Sequence, residues 1–178
     1  PFQPSRIAIA ASRAKNRTHR VVTLGIHPPV KGNGGPASFA QSITMPIHVA
    51  AVRQLLVGKA LMIEGAAPTG HFSAVFEDDG ETGYFYAIDR AAKGQSIQDA
   101  LHIYNVASVT DKDKASTVRI GWTADGSKVA LLINDYPHAV FDFETQQGYC
   151  RSGFPPPGVG PWSQQGHEWN EACVSLFM

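Results

Sequence analysis

Four carboxylates crowd a single glycine: Glu77, Asp78, Asp79 and Glu81 flank Gly80, inside a stretch from Val75 to Asp89 whose two arms are apolar and alternating. Carboxylate oxygens are what Ca²⁺ and Mg²⁺ bind, yet acids set just before and just after one glycine fit no calcium-loop spacing. Two other readings suit the cluster better. It is a solvated hairpin tip, or an acidic face that steers and orients a basic surface on another protein. His167 and Glu171 stand four apart, so on one helix they face one way, and His102 or His138 from strands could complete a metal site or an acid–base pair. Cys150 sits beside Arg151, whose charge would favour a thiolate, but nucleophilic use needs a base and an oxyanion hole that the sequence does not place, and a buried inert thiol is the simpler account. The glycines from Gly32 to Gly35 lack the Gly-Lys-Ser/Thr ending of a phosphate loop and run into Pro36, so no cofactor is expected. Most aromatic residues read as core, including Tyr84, Tyr86, Tyr104, Trp122, Tyr136 and Trp169, whereas Trp162 in a proline-rich loop reads as an interface anchor.

These residues need elements to hold them. Val75 to Asp89 predicts a β-hairpin, with Phe72, Ala74 and Phe76 on one face of the incoming arm and Tyr84, Tyr86 and Ile88 alternating on the outgoing one. Shifting by 46 residues carries Phe76, Asp79, Gly80 and Asp89 onto Trp122, Asp125, Gly126 and Asp135, which is more simply a repeated turn than a repeated site. Strands are expected over 60–64, 101–106, 117–123, 128–134 and 138–143, the run 128–134 being apolar enough to lie at the centre of a sheet. A short helix is expected over 46–56, a capped helical turn from Ser96 to Asp99, a long loop over 148–166, and a C-terminal helix over 165–178 with Trp169, Cys173 and Leu176 on one face. The expected fold is therefore α+β: an antiparallel meander of about six strands with the C-terminal helix packed on one face.

Composition divides the chain. Residues 1–63 hold eight Lys or Arg and no acid, and residues 64–178 hold seven against fifteen acids, so the formal charges are +8 and −8. Residues 1–45, punctuated by Pro and Gly, read as a basic and poorly ordered N-terminal arm, and 46–178 as a single domain. No apolar run is long enough to span a bilayer, so no membrane partner is expected. Two cysteines, Cys150 and Cys173, are too few for a disulfide framework, which makes reduced thiols in a cytoplasmic protein the default and leaves one bridge open.

The phrases Phe76 to Asp89, Asp99-Ala-Leu-His-Ile-Tyr-Asn-Val106, Tyr136-Pro-His-Ala139, Gly148-Tyr-Cys-Arg151 and His167-Glu-Trp169 are distinctive. Across residues 58–169 the chain resembles a bacterial family of uncharacterised proteins, the domain-of-unknown-function family numbered 2251. The resemblance implies a small bacterial intracellular protein and supplies no activity. With no catalytic signature and one concentrated acidic loop, the expected function is a protein-binding module, in its most concrete form an immunity protein that neutralises a toxin through the acidic hairpin. The competing reading is a metal-assisted hydrolase using His138, His167 and Glu171, and the third is a nucleic-acid contact through residues 6–20.

Overall fold

The computed structural model describes residues 47–162 and 164–177. Nine antiparallel strands run through them: β1 (His48–Leu55), β2 (Leu61–Ala66), β3 (Phe72–Asp78), β4 (Thr82–Asp89), β5 (Ile97–Asn105), β6 (Ser116–Trp122), β7 (Lys128–Ile133), β8 (Tyr136–Asp142) and β9 (Gln147–Cys150). They form two sheets, ordered β1-β6-β7-β8-β9 and β2-β3-β4-β5. The inner faces share one core, in which Ala74, Phe76, Phe85, Leu101 and Ile103 of the smaller sheet meet Val118, Ile120, Val129, Leu131 and Phe141 of the larger. Phe85 stacks on Phe141 across the gap at 5.3 Å, and the Trp122 indole N–H donates to the Gly65 carbonyl at 3.2 Å. A polar atom on a buried aromatic thus finds a partner in the opposite sheet.

The described residues form a β-sandwich, and the α+β expectation is overturned. The only helical segments among the described residues are 3₁₀ turns at Val106–Ser108 and Glu171–Phe177. Residues 46–56 do not form the expected helix because a bulge between Val49 and Ala51 resets the strand alternation, so that an edge strand shows apolar residues at helix-like spacing. The C-terminal helix is forestalled by Gly166, at φ +73°, and by bridges that draw His167 to Gly153 and Glu168 to Cys150 before any coil begins. Asp99 caps no helical turn, since β5 already runs through it. The apolar run of β7 does lie at the centre of its sheet. Val129, Leu131 and Ile133 face the core, while Ala130 and Leu132 join an outer cluster with Ile47, Val140, Tyr149, Trp169, Cys173 and Val174. The C-terminal segment therefore covers the outer face of the larger sheet without being an α-helix. Among the described residues no helix is long and apolar enough to cross a membrane. The basic arm and its candidate residues 6–20 lie outside the described residues.

The repeated turn is structural. Gly80 and Gly126 have φ of +93° and +74°, which suits glycine, and the preceding aspartate in each copy accepts the N–H two residues on, Asp79 from Glu81 at 2.9 Å and Asp125 from Ser127 at 3.0 Å. Hydrogen bonds from the Thr123 hydroxyl and then from the Ser127 N–H and hydroxyl favour the ionised form and hold the Asp125 carboxyl down at about 2.

Candidate functional site

The four acids of the first hairpin do not share a face. Asp78 is 1 % exposed and ends β3 pointing inward. Its two oxygens accept from the Gly58 and Gly80 N–H groups, both at 2.8 Å, and from the Tyr104 hydroxyl at 2.9 Å, so it ties the β1–β2 turn, the β3–β4 turn and β5 together. Gly83 makes that reach possible, because a Cβ there would stand 2.7 Å from the Tyr104 ring. Burial, then the Asp78 charge, drive the Tyr104 phenol far above its ordinary pKa. Glu77 accepts from the Tyr86 hydroxyl at 3.1 Å on the outer side of β3, and the Asp79 carboxylate also takes the Thr82 N–H at 2.7 Å. Asp79 and Glu81 lie at the surface; Asp78, expected to face water, belongs to the interior.

Among the described residues, His102, His138, His167 and Glu171 included, no group of three or more His, Cys, Asp or Glu side chains is placed to hold a metal ion. His167 is 0 % exposed. Its Nε2 lies 2.9 Å from Asp99 Oδ2 and its Nδ1 2.6 Å from the Pro155 carbonyl. The Pro155 carbonyl and an Asp99 carboxylate both accept, so this geometry favours the protonated ring, which donates from both nitrogens. Burial alone would lower its pKa; the hydrogen bond and charge of Asp99 and the Pro155 carbonyl outweigh it, and the net shift is upward. Gly148 leaves the room: a Cβ there would stand 3.0 Å from Asp99 Oδ2 and 3.1 Å from His167 Cδ2. A ring with both nitrogens spent is a staple between β5 and the C-terminal segment.

His102 meets Asn105 Oδ1 at 3.1 Å and packs edge-on against Tyr84 and Phe154. His138 lines a small apolar cleft with Leu55, Val57, Ile103, Tyr104, Val109 and Ile133. Burial there, reinforced by the Arg151 charge, lowers its pKa to about 4 and keeps it neutral at physiological pH. Cys150 and Cys173 are both buried and unpaired. Burial raises both thiols, Cys173 to about 11, so the Arg151 charge next along the chain from Cys150 does not produce a thiolate.

The aromatic expectations change places. Trp162, expected at the surface of the loop, is 4 % exposed and packs edge-on against Phe143 at 5.1 Å and Phe141 at 5.9 Å, so its ring closes the core. Tyr136, read as core, is 51 % exposed. The β7–β8 turn places it: Asn134 and Asp135 both have positive φ, as a tight two-residue hairpin turn needs, and Tyr136 follows at once. The Arg151 guanidinium lies 4.2 Å from the Tyr136 ring centre and 4.2 Å from that of Trp169. Arg151 Nε donates to the Pro137 carbonyl at 2.8 Å, and Glu171 Oε1 accepts from the Trp169 indole N–H at 3.0 Å and from the Arg151 guanidinium at 3.3 Å. Tyr136, Arg151 and Trp169 thus form a locked stack at the surface. Tyr136, Arg151 and Trp169 all belong to the phrases that carry the family resemblance, which is the signal of the stack in the sequence.

Residues 55–178 match a family described as an uncharacterized protein conserved in bacteria (DUF2251). The chain is 47 % identical over 96 residues to an uncharacterized protein of Haemophilus influenzae (strain ATCC 51907 / DSM 11121 / KW20 / Rd), a stretch covering 53 % of this chain and 60 % of that relative. No solved structure matches. Neither description names an activity or a partner, so toxin neutralisation draws no support from them.

Proposed function

Starting from the premise that the chain belongs to DUF2251, a family of uncharacterized proteins conserved in bacteria, we propose that it is a protein-binding module whose contact surface is built on the Tyr136–Arg151–Trp169 stack. The observation that carries the reading is how this stack is held. Tyr, Trp and Arg are the residue types that dominate interface energetics, and here all three are fixed before any partner arrives, which reduces the entropy lost on binding. Tyr136 offers a half-exposed ring on a rigid turn, and Glu171 fixes Trp169 and Arg151 together. By contrast, the groups that could do acid–base or nucleophilic chemistry are committed within the fold, His167 to Asp99 and Pro155, and Cys150 to its buried pocket.

The test is retention of a partner from a lysate of the bacterium that carries the protein, followed by affinity measurement with the purified partner. Tyr136→Ala removes an exposed ring and should leave the melting temperature within a degree or two of the parent, while weakening the partner at least tenfold. A partner held equally by both forms, or no partner on the parent chain, would overturn the reading.

A further inference from the structure

Arg151 keeps hydrogen-bonding capacity that the fold does not use. A guanidinium carries five N–H donors. Two of them are engaged within the stack, Nε on the Pro137 carbonyl at 2.8 Å and Nη1 on Glu171 Oε1 at 3.3 Å. Among the described residues Nη2 has no hydrogen-bond partner, and the Ser73 hydroxyl is the only fully buried side-chain polar group left without one, so Nη2 reaches solvent. The Arg151 side chain is otherwise sheltered, at 17 % exposed, with the Tyr136 and Trp169 ring centres each 4.2 Å from its guanidinium carbon. Glu171 is its opposite. Its side chain is 75 % exposed, and 3.3 Å is long for a guanidinium and a carboxylate, which settle at about 2.7–2.9 Å when well matched. Glu171 Oε1 also sits nearer the Trp169 indole nitrogen, at 3.0 Å, than the guanidinium.

We propose that the open N–H edge of Arg151 is a receptor for a carboxylate, that of an Asp or Glu side chain on the protein that the stack binds, and that Glu171 holds the place until it arrives. This rests on the protein-binding reading above and names the chemistry of its partner. The planar fork of Nη1 and Nη2 matches the two oxygens of a carboxylate, and a guanidinium fixed by a carbonyl and two rings loses little freedom when it engages them. Shelter from water by the rings strengthens the pair. Charge favours a monoanion. His138, whose ring lies 5.6 Å from that of Tyr136, is neutral at physiological pH, and Arg119 is paired with Asp135, so once Glu171 turns away Arg151 presents a single unbalanced charge. One carboxylate neutralises it, whereas a phosphate dianion leaves one charge over. Glu171 is then a competitor: the fork is occupied in part of the free protein, and the apparent affinity falls with the fraction left open.

Titration of the isotope-labelled chain with acetyl-aspartate amide at pH 7, followed by NMR at the Arg151 Nε–H and Trp169 indole N–H resonances, tests it. Both resonances should move saturably, and inorganic phosphate should bind more weakly. Glu171→Gln keeps an oxygen for the Trp169 indole and removes the charge that competes at Arg151, so it should tighten the probe roughly threefold or more. Arg151→Lys keeps the charge and removes the fork, and the Trp169 resonance should then no longer saturate. If Glu171 were only a brace, Glu171→Gln would loosen the stack and weaken binding, which is the opposite sign. Unchanged or weaker binding by Glu171→Gln, no saturable shift in either form, or phosphate held more tightly than the carboxylate would each overturn the proposal. The probe needs no protein partner, so the two readings fail separately. A saturable site on a chain that retains no protein from the lysate would overturn the protein-binding reading, and with it the protein source of the carboxylate, while the fork itself stands.

Discussion

Asp99 and His167 are 68 residues apart in sequence, and Asp99 Oδ2 lies 2.9 Å from His167 Nε2 in a pocket where the imidazole has no exposure. The pair joins the first strand edge beyond the acidic hairpin to the tail of the chain. Because the other ring nitrogen faces the Pro155 carbonyl, the pair acts as a charged fastener and leaves no lone pair for proton abstraction.

Two histidines should bracket the stability optimum. The folded pKa of His167 is raised, so its contribution is complete below the unfolded value of about 6.5 and is lost as pH rises through the folded value. His138 runs the other way: burial and Arg151 lower its folded pKa to about 4, so the unfolded chain binds the extra proton between about 4 and 6.5 and stability falls as pH drops through that window. Urea unfolding across pH 4 to 9 should therefore peak near pH 6.5. His167→Gln should flatten the alkaline limb and His138→Gln the acid limb; a parent profile without an alkaline decline would remove the imidazolium assignment.

Asp78 should be worth more to folding than any acid near it. Asp78→Ala strands the Gly58 and Gly80 N–H groups and the Tyr104 hydroxyl without an acceptor, at a cost of roughly 3 kcal/mol or more. Glu81→Ala, at the surface of the same hairpin, should change stability by about 0.5 kcal/mol or less. Denaturant midpoints for the two variants settle the contrast, and equal effects would contradict the inward placement of Asp78.

Gly126 and Gly148 should resist substitution for different reasons. Gly126→Val forces a β-branched residue to positive φ, and its Cβ would also stand 2.9 Å from Thr69 Oγ1, for a loss of about 1–3 kcal/mol. Gly148→Ala has no such backbone difficulty but intrudes on Asp99 and His167. It should abolish the alkaline limb of the pH profile as His167→Gln does, a result that separates crowding of the pair from general destabilisation.

Native thiols should be silent. Cys150 and Cys173 are buried, with pKa values raised by that burial, so neither should react with an aromatic disulfide reagent at pH 8 until the chain unfolds, when both should react. Rapid labelling of one thiol in the folded protein would reopen a chemical role for it.

What could be read in advance was local. The glycine turns at Gly80 and Gly126, the alternation of Tyr84, Tyr86 and Ile88, and the apolar run of β7 depend on near neighbours, and each appears in the structure. The layering did not follow, because apolar spacing on either side of a bulge, as at Val49 and Val52, mimics a helix, and because nothing local tells one long meander from two facing sheets. The stack and the Asp99–His167 pair were hidden for the same reason. Their partners come from elements far apart in sequence, and Trp162 differs from Trp169 only in which of them the long loop carries inward.

The pairing of β1 sets the order of assembly. Within β2 to β5 and within β6 to β9 every pairing is between sequence neighbours, so both ladders can zip from tight turns within microseconds, whereas β1 must wait for β6 across a gap of roughly 60 residues. Until it arrives, β6 is an open template with Ser116 to Trp122 unsatisfied on one side, able to accept the same strand from another molecule. Strand exchange between copies at high concentration, with β1 as the exchanged piece, is the characteristic accident to which this connectivity exposes the chain.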